Sequence, residues 1–352
     1  MHRQLHQYHP IIGYHFVPGV KARVEHEGGG YLVRVNQAGF RCDHEFVPHK
    51  RPGTFRVLLF GDSYTAGDGV SNRYRYGNLM ERAIADLEVY NFGLSGTGTD
   101  QQYLIFRQMA ADIEHDLIVI SVFVENIRRV TARYRPWVTH DGEVLVFFKP
   151  YFQIDDDGHL RLHHVPVPKG PIRPAVLPRS EWRHFDQGGR LTWLRDTVNR
   201  LGPGAKDLVQ RLTRYQPLPA YGQSNSPAWQ LMKRILAQWI TEATVPVVIC
   251  PIPLSQHIDE TASAASYRAR FGELHGPPLV TVHDPLPAFH HFSRSERSQL
   301  RFRQDPHFTA AGHRVLAESL GAVVHSFIGQ EIQCRPSFSA SRLFTTTPPP
   351  PL

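Results

Sequence analysis

The segment Phe55-Arg56-Val57-Leu58-Leu59-Phe60 has five apolar residues in six and no turn residue. An unbroken run of this kind fits a strand buried on both faces better than one with a wet side. It stops at Gly61, and Asp62-Ser63 follow before a helical pattern begins. In an open α/β sheet, ligands collect beyond the carboxyl ends of the strands. Ser63 therefore stands where a nucleophile could act, given a base within reach. A turn or a helix cap explains a serine there equally well. The deciding partners must come from elsewhere in the chain.

The rest of the chain extends this pattern. Arg73 to Leu87 reads as a helix with Leu79, Met80, Ala83, Ile84 and Leu87 on one face. Glu88 to Phe92 reads as a second strand ending at Gly93. Thr99 to Ile113 reads as a helix with Asp100 in its first turn, where an acid suits the helix dipole. Asp116 to Val124 is the strongest strand signal and runs into Glu125-Asn126. Later come a helix at Ala228–Ala243, a strand at Val245–Pro251, a helix at Tyr267–Leu274 and a strand at Leu279–Asp284. A long helix follows at Thr309–Ile328, with Val315, Leu316, Leu320, Val323, Val324 and Phe327 as its apolar stripe. Strands alternating with helices predict an α/β fold, a parallel sheet with helices on both faces. Right-handed crossovers bring the ends of strands one, two, three and five to one edge.

Two stretches depart from this rhythm. Residues 1–50 carry short strand signals at Ala22–Glu25 and Tyr31–Val35 around the Gly28-Gly29-Gly30 turn, and are expected to be a small β-rich element with a structural role. Residues 135–227 are rich in Pro, Arg, His and Trp and read as an insertion of hairpins, with one helix near Leu191–Arg214. Its Asp155-Asp156-Asp157 lacks EF-hand spacing, so an acidic turn is the better reading. The main domain is then 51–134 with 228–330, and 331–352 is a Thr/Pro-rich tail expected to be largely disordered.

Composition narrows the function classes. The charge is +7 and the pI about 9.4, but no basic run points to nucleic acid, which is not an expected partner. Three scattered cysteines and 21 histidines show no CxxC, HExxH or tight cluster, so no metal and no cofactor are expected. The first ten residues lack the apolar core of a signal peptide, and no apolar run is long enough to span a bilayer. A cytoplasmic setting is expected. The oligomeric state is not readable.

Four pieces meet at the predicted sheet edge. They are Gly61-Asp62-Ser63, Asn91-Phe92-Gly93-Leu94-Ser95-Gly96, Glu125-Asn126, and Asp305-Pro306-His307 with Gly312-His313 downstream. Ester cleavage by serine needs a nucleophile, a base, a group orienting the base, and oxyanion donors. In this order the blocks resemble the SGNH/GDSL hydrolases, over about residues 55–134 and 228–328 and the lead-in Asn36–Phe40.

The resemblance implies a flavodoxin-like three-layer α/β/α sandwich with a five-stranded parallel sheet. It implies Ser63 as nucleophile, His307 as base and Asp305 as its orienting acid. The backbone N–H groups of Ser63 and Gly96 and the Asn126 amide would form the oxyanion hole. Two blocks depart from the usual pattern. The third reads Val124-Glu125-Asn126-Ile127 instead of Gly-x-Asn-Asp. In the fourth, Gln304 stands three residues before the histidine, where the acid is often found.

Asp284 is a competitor for the acid, Ser95 a poor candidate nucleophile, and His313 a packing residue. The insertion is expected to overhang the site, with Trp137, Tyr151, Phe152, Trp182 and Trp193 lining a pocket or forming a core of their own. The implied reaction is ester hydrolysis without cofactor, on a small-molecule or glycan ester, an O-acetylated carbohydrate being preferred. O-acyl transfer at the same site and a non-catalytic binding module are the alternatives.

Overall fold

The computed structural model describes residues 5–138, 142–177, 216–276 and 279–334, with the side chains of 138, 175 and 330–334 left aside. Two hairpins come first: β1 (His6–His9) with β2 (Gly13–Phe16), and β3 (Lys21–Val24) with β4 (Tyr31–Arg34). The main domain opens with β5 (Phe55–Gly61), α1 (Ser63–Ala66), α2 (Tyr76–Ala83), β6 (Leu87–Asn91), α3 (Thr99–Ile105), β7 (Leu117–Phe123) and α4 (Asn126–Arg129). The insertion supplies β8 (Tyr134–Val138), β9 (Val144–Phe148), β10 (Tyr151–Ile154), β11 (Leu160–His163) and β12 (Pro171–Ile172). Then come α5 (Pro227–Glu242), β13 (Val247–Ile252), α6 (Ser255–Ile258), α7 (Ala265–Gly272), β14 (Val280–Val282), α8 (Leu286–His290), α9 (Arg294–Gln299) and α10 (Ala310–Cys334).

The central sheet is parallel, in the order β6-β5-β7-β13-β14. Counted along the sheet this is the 2-1-3-4-5 order of flavodoxin-like folds. Every residue of β5, β6, β7 and β13 is buried, as expected of strands covered on both faces. On one side α5 brings the fully buried Trp239 within ring contact of Phe60, Phe106 and Tyr103. Elsewhere α10 packs against α2 and presents buried Leu316, Leu320 and Val324, while Val323 and Phe327 of the expected stripe are half-buried.

Charge interrupts the apolar run of β5 once, at Arg56. Its register partner on β6 is Glu88, which accepts from Arg56 Nε at 2.6 Å. The rest of the guanidinium donates to the carbonyls of Val47, His49 and Glu114. A buried charge is tolerated where its partners satisfy it this completely.

Several boundaries differ from those read in the sequence. The helix expected over Arg73–Leu87 is a short 3-10 turn at Asn72–Tyr74 followed by α2. The chain leaves it at Ile84 and turns through Asp86, whose carbonyl accepts the Phe55 N–H. Leu87 therefore opens a strand, and Ala83 is exposed. The helix expected to reach Ile113 stops at Ile105 and continues as a π-helical stretch over Phe106–Ala110. β14 stops short of Asp284, because that carboxylate turns to accept the Leu286 N–H at the start of α8. α10 runs to Cys334, so residues 331–334 belong to a helix and not to the tail. The helix read near Leu191–Arg214, Trp182, Trp193 and the remaining tail lie outside the described residues.

The Arg56–Glu88 pair makes a direct stability prediction. Arg56→Ala leaves the buried Glu88 with only the exposed Arg51, 3.6 Å away, and should lower the unfolding free energy by about 3 kcal/mol. The joint change Arg56→Met with Glu88→Leu should cost less than Arg56→Ala alone. Denaturant unfolding of the three proteins checks both statements.

Candidate active site

Ser63 opens α1 directly beyond the carboxyl end of β5. Asn126 opens α4 beyond the neighbouring strand β7. The two strands flank the point where the strand order reverses, the usual ligand crevice of such sheets. Asp62 caps α1 by accepting the Tyr64 N–H at 3.1 Å and binds Arg129 Nη1 at 2.7 Å. Two glycines let the loop after β6 close on this turn. A side chain at Gly93 would stand 2.4 Å from the Ala66 nitrogen. Gly96 has φ +77, a conformation that favours glycine.

The fourth block reaches the serine from the far end of the chain. His307 Nε2 lies 2.7 Å from Ser63 Oγ, and His307 Nδ1 is hydrogen-bonded to Asp305 Oδ1. With Nδ1–H donating to Asp305, Nε2 is left to accept the serine proton. The Asp305 carboxylate also accepts the His307 backbone N–H at 2.9 Å. Tyr64 pins this loop from below. Its hydroxyl donates to the Pro306 carbonyl at 3.0 Å and its ring packs against the His307 ring.

Electrostatics favour a strong base. Burial alone would lower the His307 pKa. The bond to Asp305, then the fields of Asp68, Asp305 and Asp62, outweigh burial and raise it above 6.5. Burial pushes Asp305 up, but its bonds to His307 and His26 hold it well below the usual carboxylate range.

Asn126 is fully buried, and its side-chain nitrogen and oxygen have no hydrogen-bond partner among the described residues. The Gly96 N–H likewise has no acceptor there. The Ser63 N–H, at the first position of α1, is one of the donors a helix start leaves open. Of the five residues named from the sequence, Ser63, His307 and Asp305 are in hydrogen-bond contact, while Asn126 opens α4 beyond β7 and Gly96 lies on the loop after β6.

The competing residues are engaged elsewhere. Asp284 pairs with Arg268. Ser95 Oγ donates to Asp68 at 2.7 Å. Asn91 serves the turn, bonding the Thr65 carbonyl and the Gly93 N–H. His313 is fully buried and stacks on Tyr76. Asp100 is a first-turn acid as expected, and it is also buried against Lys149 of the insertion. Asp155, Asp157 and His159 gather at the β10–β11 turn, where Asp155 already binds Arg161 at 2.6 Å.

The second N-terminal hairpin also reaches Asp305 and its loop. His26, in the turn between β3 and β4, has Nε2 3.0 Å from Asp305 Oδ2. Its Nδ1 accepts the Gly28 N–H at 3.3 Å, which leaves Nε2–H to donate to the carboxylate. Glu27 accepts the backbone N–H groups of Arg303, Gln304 and Asp305 at 3.1, 2.8 and 2.7 Å. No spacing rule links positions 26 and 27 to 305. The only sequence signal was a His-Glu pair before a triple glycine.

No family model matches the chain, and no curated protein matches it. Solved structures do resemble it. A lipase from a goat-rumen metagenome is 13% identical with a TM-score of 0.41, covering 76% of this chain and 97% of its own. A member of the lipolytic protein G-D-S-L family from Veillonella parvula is 12% identical with a TM-score of 0.39, covering 77% and 99%. An acetyl xylan esterase from the rumen bacterium Butyrivibrio proteoclasticus is 11% identical with a TM-score of 0.35, covering 80% and 66%. At these values the chemistry has to rest on the side chains themselves. No helix among the described residues is long and apolar enough to cross a membrane.

The His307 environment can be tested without any substrate. An NMR titration of its imidazole should give a midpoint above 6.5, and Asp305→Asn should lower that midpoint. An unchanged midpoint in the variant would contradict the pairing.

Proposed function

We propose that this chain is a serine esterase of the SGNH/GDSL type that cleaves carboxylic esters through an acyl-enzyme on Ser63. The observation that carries the reading is the continuous contact from Ser63 Oγ through His307 to Asp305. Ser63 Oγ attacks the ester carbonyl carbon while His307 Nε2 takes its proton. Asp305 holds the imidazole and stabilises the imidazolium that forms. The carbonyl oxygen becomes an oxyanion and is met by the N–H groups of Ser63 and Gly96 and by the Asn126 amide. Collapse breaks the bond to the alcohol, which leaves with the proton from His307. Water then attacks the acyl-enzyme with His307 again as base, and collapse breaks the bond to Ser63 Oγ, which takes the proton from His307 as the acid leaves. The cycle uses protein groups and water alone.

His26 and Glu27 act through Asp305 and its loop, and are positioning residues. Two donors from separate histidines fix the carboxylate, and the Glu27 carboxylate ties down the backbone beneath it.

An O-acetylated carbohydrate remains the first substrate to try. Trp137, 46% exposed, supports this as a face for a sugar ring, whereas Tyr151 and Phe152 are buried and serve as core. If an alcohol replaces water in the second step, the same chemistry becomes O-acyl transfer. Product analysis with a sugar acceptor separates the two.

Hydrolysis of p-nitrophenyl acetate should be abolished by Ser63→Ala, and Asn126→Ala should lower kcat roughly a hundred- to a thousandfold. Full activity in Ser63→Ala would sink the proposal. His26→Ala should lower kcat, and His26→Gln, whose amide can still donate to Asp305, should recover part of it. Equal losses in both would assign His26 to packing alone.

A further inference from the structure

Among the described residues Arg135, on β8, lacks the carboxylate partner that several enclosed cations of this chain have; the fully buried Arg75 is likewise held by backbone carbonyls and Asn78. Arg56, Arg129 and Lys149 each meet a carboxylate, from Glu88, Asp62 and Asp100 respectively. Arg135 meets none among the described residues. Its hydrogen bond is to the Ser95 carbonyl, at 3.3 Å through Nη1. Burial pushes its pKa down to about 10, and no acid acts in the other direction. The His6 imidazole beside it has its own pKa lowered to about 4, by burial and then by Arg135, so it faces the guanidinium uncharged at neutral pH.

The guanidinium is nevertheless held in place. The Tyr14 ring lies 4.3 Å from its carbon, and the Trp137 ring 5.9 Å. Tyr14 is itself anchored, its hydroxyl donating to the same Ser95 carbonyl at 2.6 Å. The position adjoins the reacting groups. A side chain at Gly96 would stand 2.4 Å from Arg135 Nη2 and 2.7 Å from its central carbon. The loop carrying Gly96 packs on the nucleophile turn, with the Leu94 N–H on the Gly61 carbonyl. Arg135 as a residue is half-buried, and apart from the bond to Ser95 its guanidinium N–H groups have no hydrogen bond among the described residues.

A fixed guanidinium with unused donors matches the planar fork of a carboxylate. Because its orientation is already set by Tyr14 and Ser95, little ordering cost falls on binding. We propose that Arg135 is the anion subsite of this active site, receiving a carboxylate carried on the ester substrate a short distance from the scissile bond. The inference rests on the esterase reading and narrows it from esters in general to acidic esters.

The test compares acidic and neutral esters of matched size in the wild type, Arg135→Gln and Arg135→Lys. For an acid on the acyl side the pair is p-nitrophenyl hemisuccinate and p-nitrophenyl butyrate. For an acid on the alcohol side it is 4-acetoxybenzoate and phenyl acetate. The ratio of kcat/KM, acidic over neutral, should fall about tenfold or more in Arg135→Gln in one of the two arms, the size expected for a lost charged hydrogen bond. Arg135→Lys, which keeps the charge, should retain part of the ratio. The arm that responds tells which side of the ester carries the acid. A ratio unchanged in both arms overturns the subsite. Fluorophosphonate labelling of Ser63 keeps the two readings apart. If wild type neither labels nor turns over any ester, the esterase reading fails. Calorimetry with succinate then decides the subsite alone: binding lost in Arg135→Gln supports it, and no difference between the proteins overturns it.

Discussion

The contact between Ser63 Oγ and His307 Nε2 joins residues 244 positions apart, and much of the structure can be read as holding its two ends. The serine end is fixed by the sheet. β5 is buried along its length, Asp62 caps the helix that follows, and Gly93 allows the neighbouring loop to close on the turn. Arg41, fully buried, adds a tie by donating to the carbonyls of Gly67 and Val70 beyond α1. The histidine end sits on a loop outside the central sheet, closed at its base by the Arg301–Phe308 bridge and by the Phe302 N–H on the His307 carbonyl. Side chains add to this: Tyr64 on the Pro306 carbonyl, Glu27 on three backbone N–H groups, and His26 on Asp305.

The β3–β4 turn, through His26 and Glu27, meets Asp305 and the backbone around it. In the proposed mechanism the carboxylate that orients the imidazole must itself be oriented and stay ionised. Two imidazole donors and one backbone donor accomplish both for Asp305. The insertion approaches from another side. Lys149 reaches the buried Asp100 at the start of α3, and Arg135 reaches the loop that carries Gly96. Elements outside the central sheet thus meet both Asp305 and the loop that carries Gly96.

Much of this was legible in the sequence, for a physical reason. Parallel strands buried on both faces must be written as apolar runs, so β5, β7 and β13 declare themselves, and chemistry gathers where such runs end. Ser63, Gly96, Asn126, Asp305 and His307 all lie just beyond regular elements or beside a helix start. The helix ends were harder to see. Nothing in Ile84-Ala85-Asp86 marks a turn back to the sheet, since alanine and isoleucine serve a helix as well. Least legible were His26, Glu27 and Arg135. Each acts across a tertiary contact, and a histidine in a glycine-rich turn looks the same whether or not an aspartate 279 positions away comes to meet it.

The central claim is that Ser63 carries the acyl group, and rapid-quench mass spectrometry tests it most directly. During turnover of an acetyl ester, the peptide containing Ser63 should gain one acetyl group, and the gain should vanish as substrate is exhausted. Turnover with the acetyl group on another residue, or with no acetylated peptide at all under conditions where deacylation is slowed, would contradict the account.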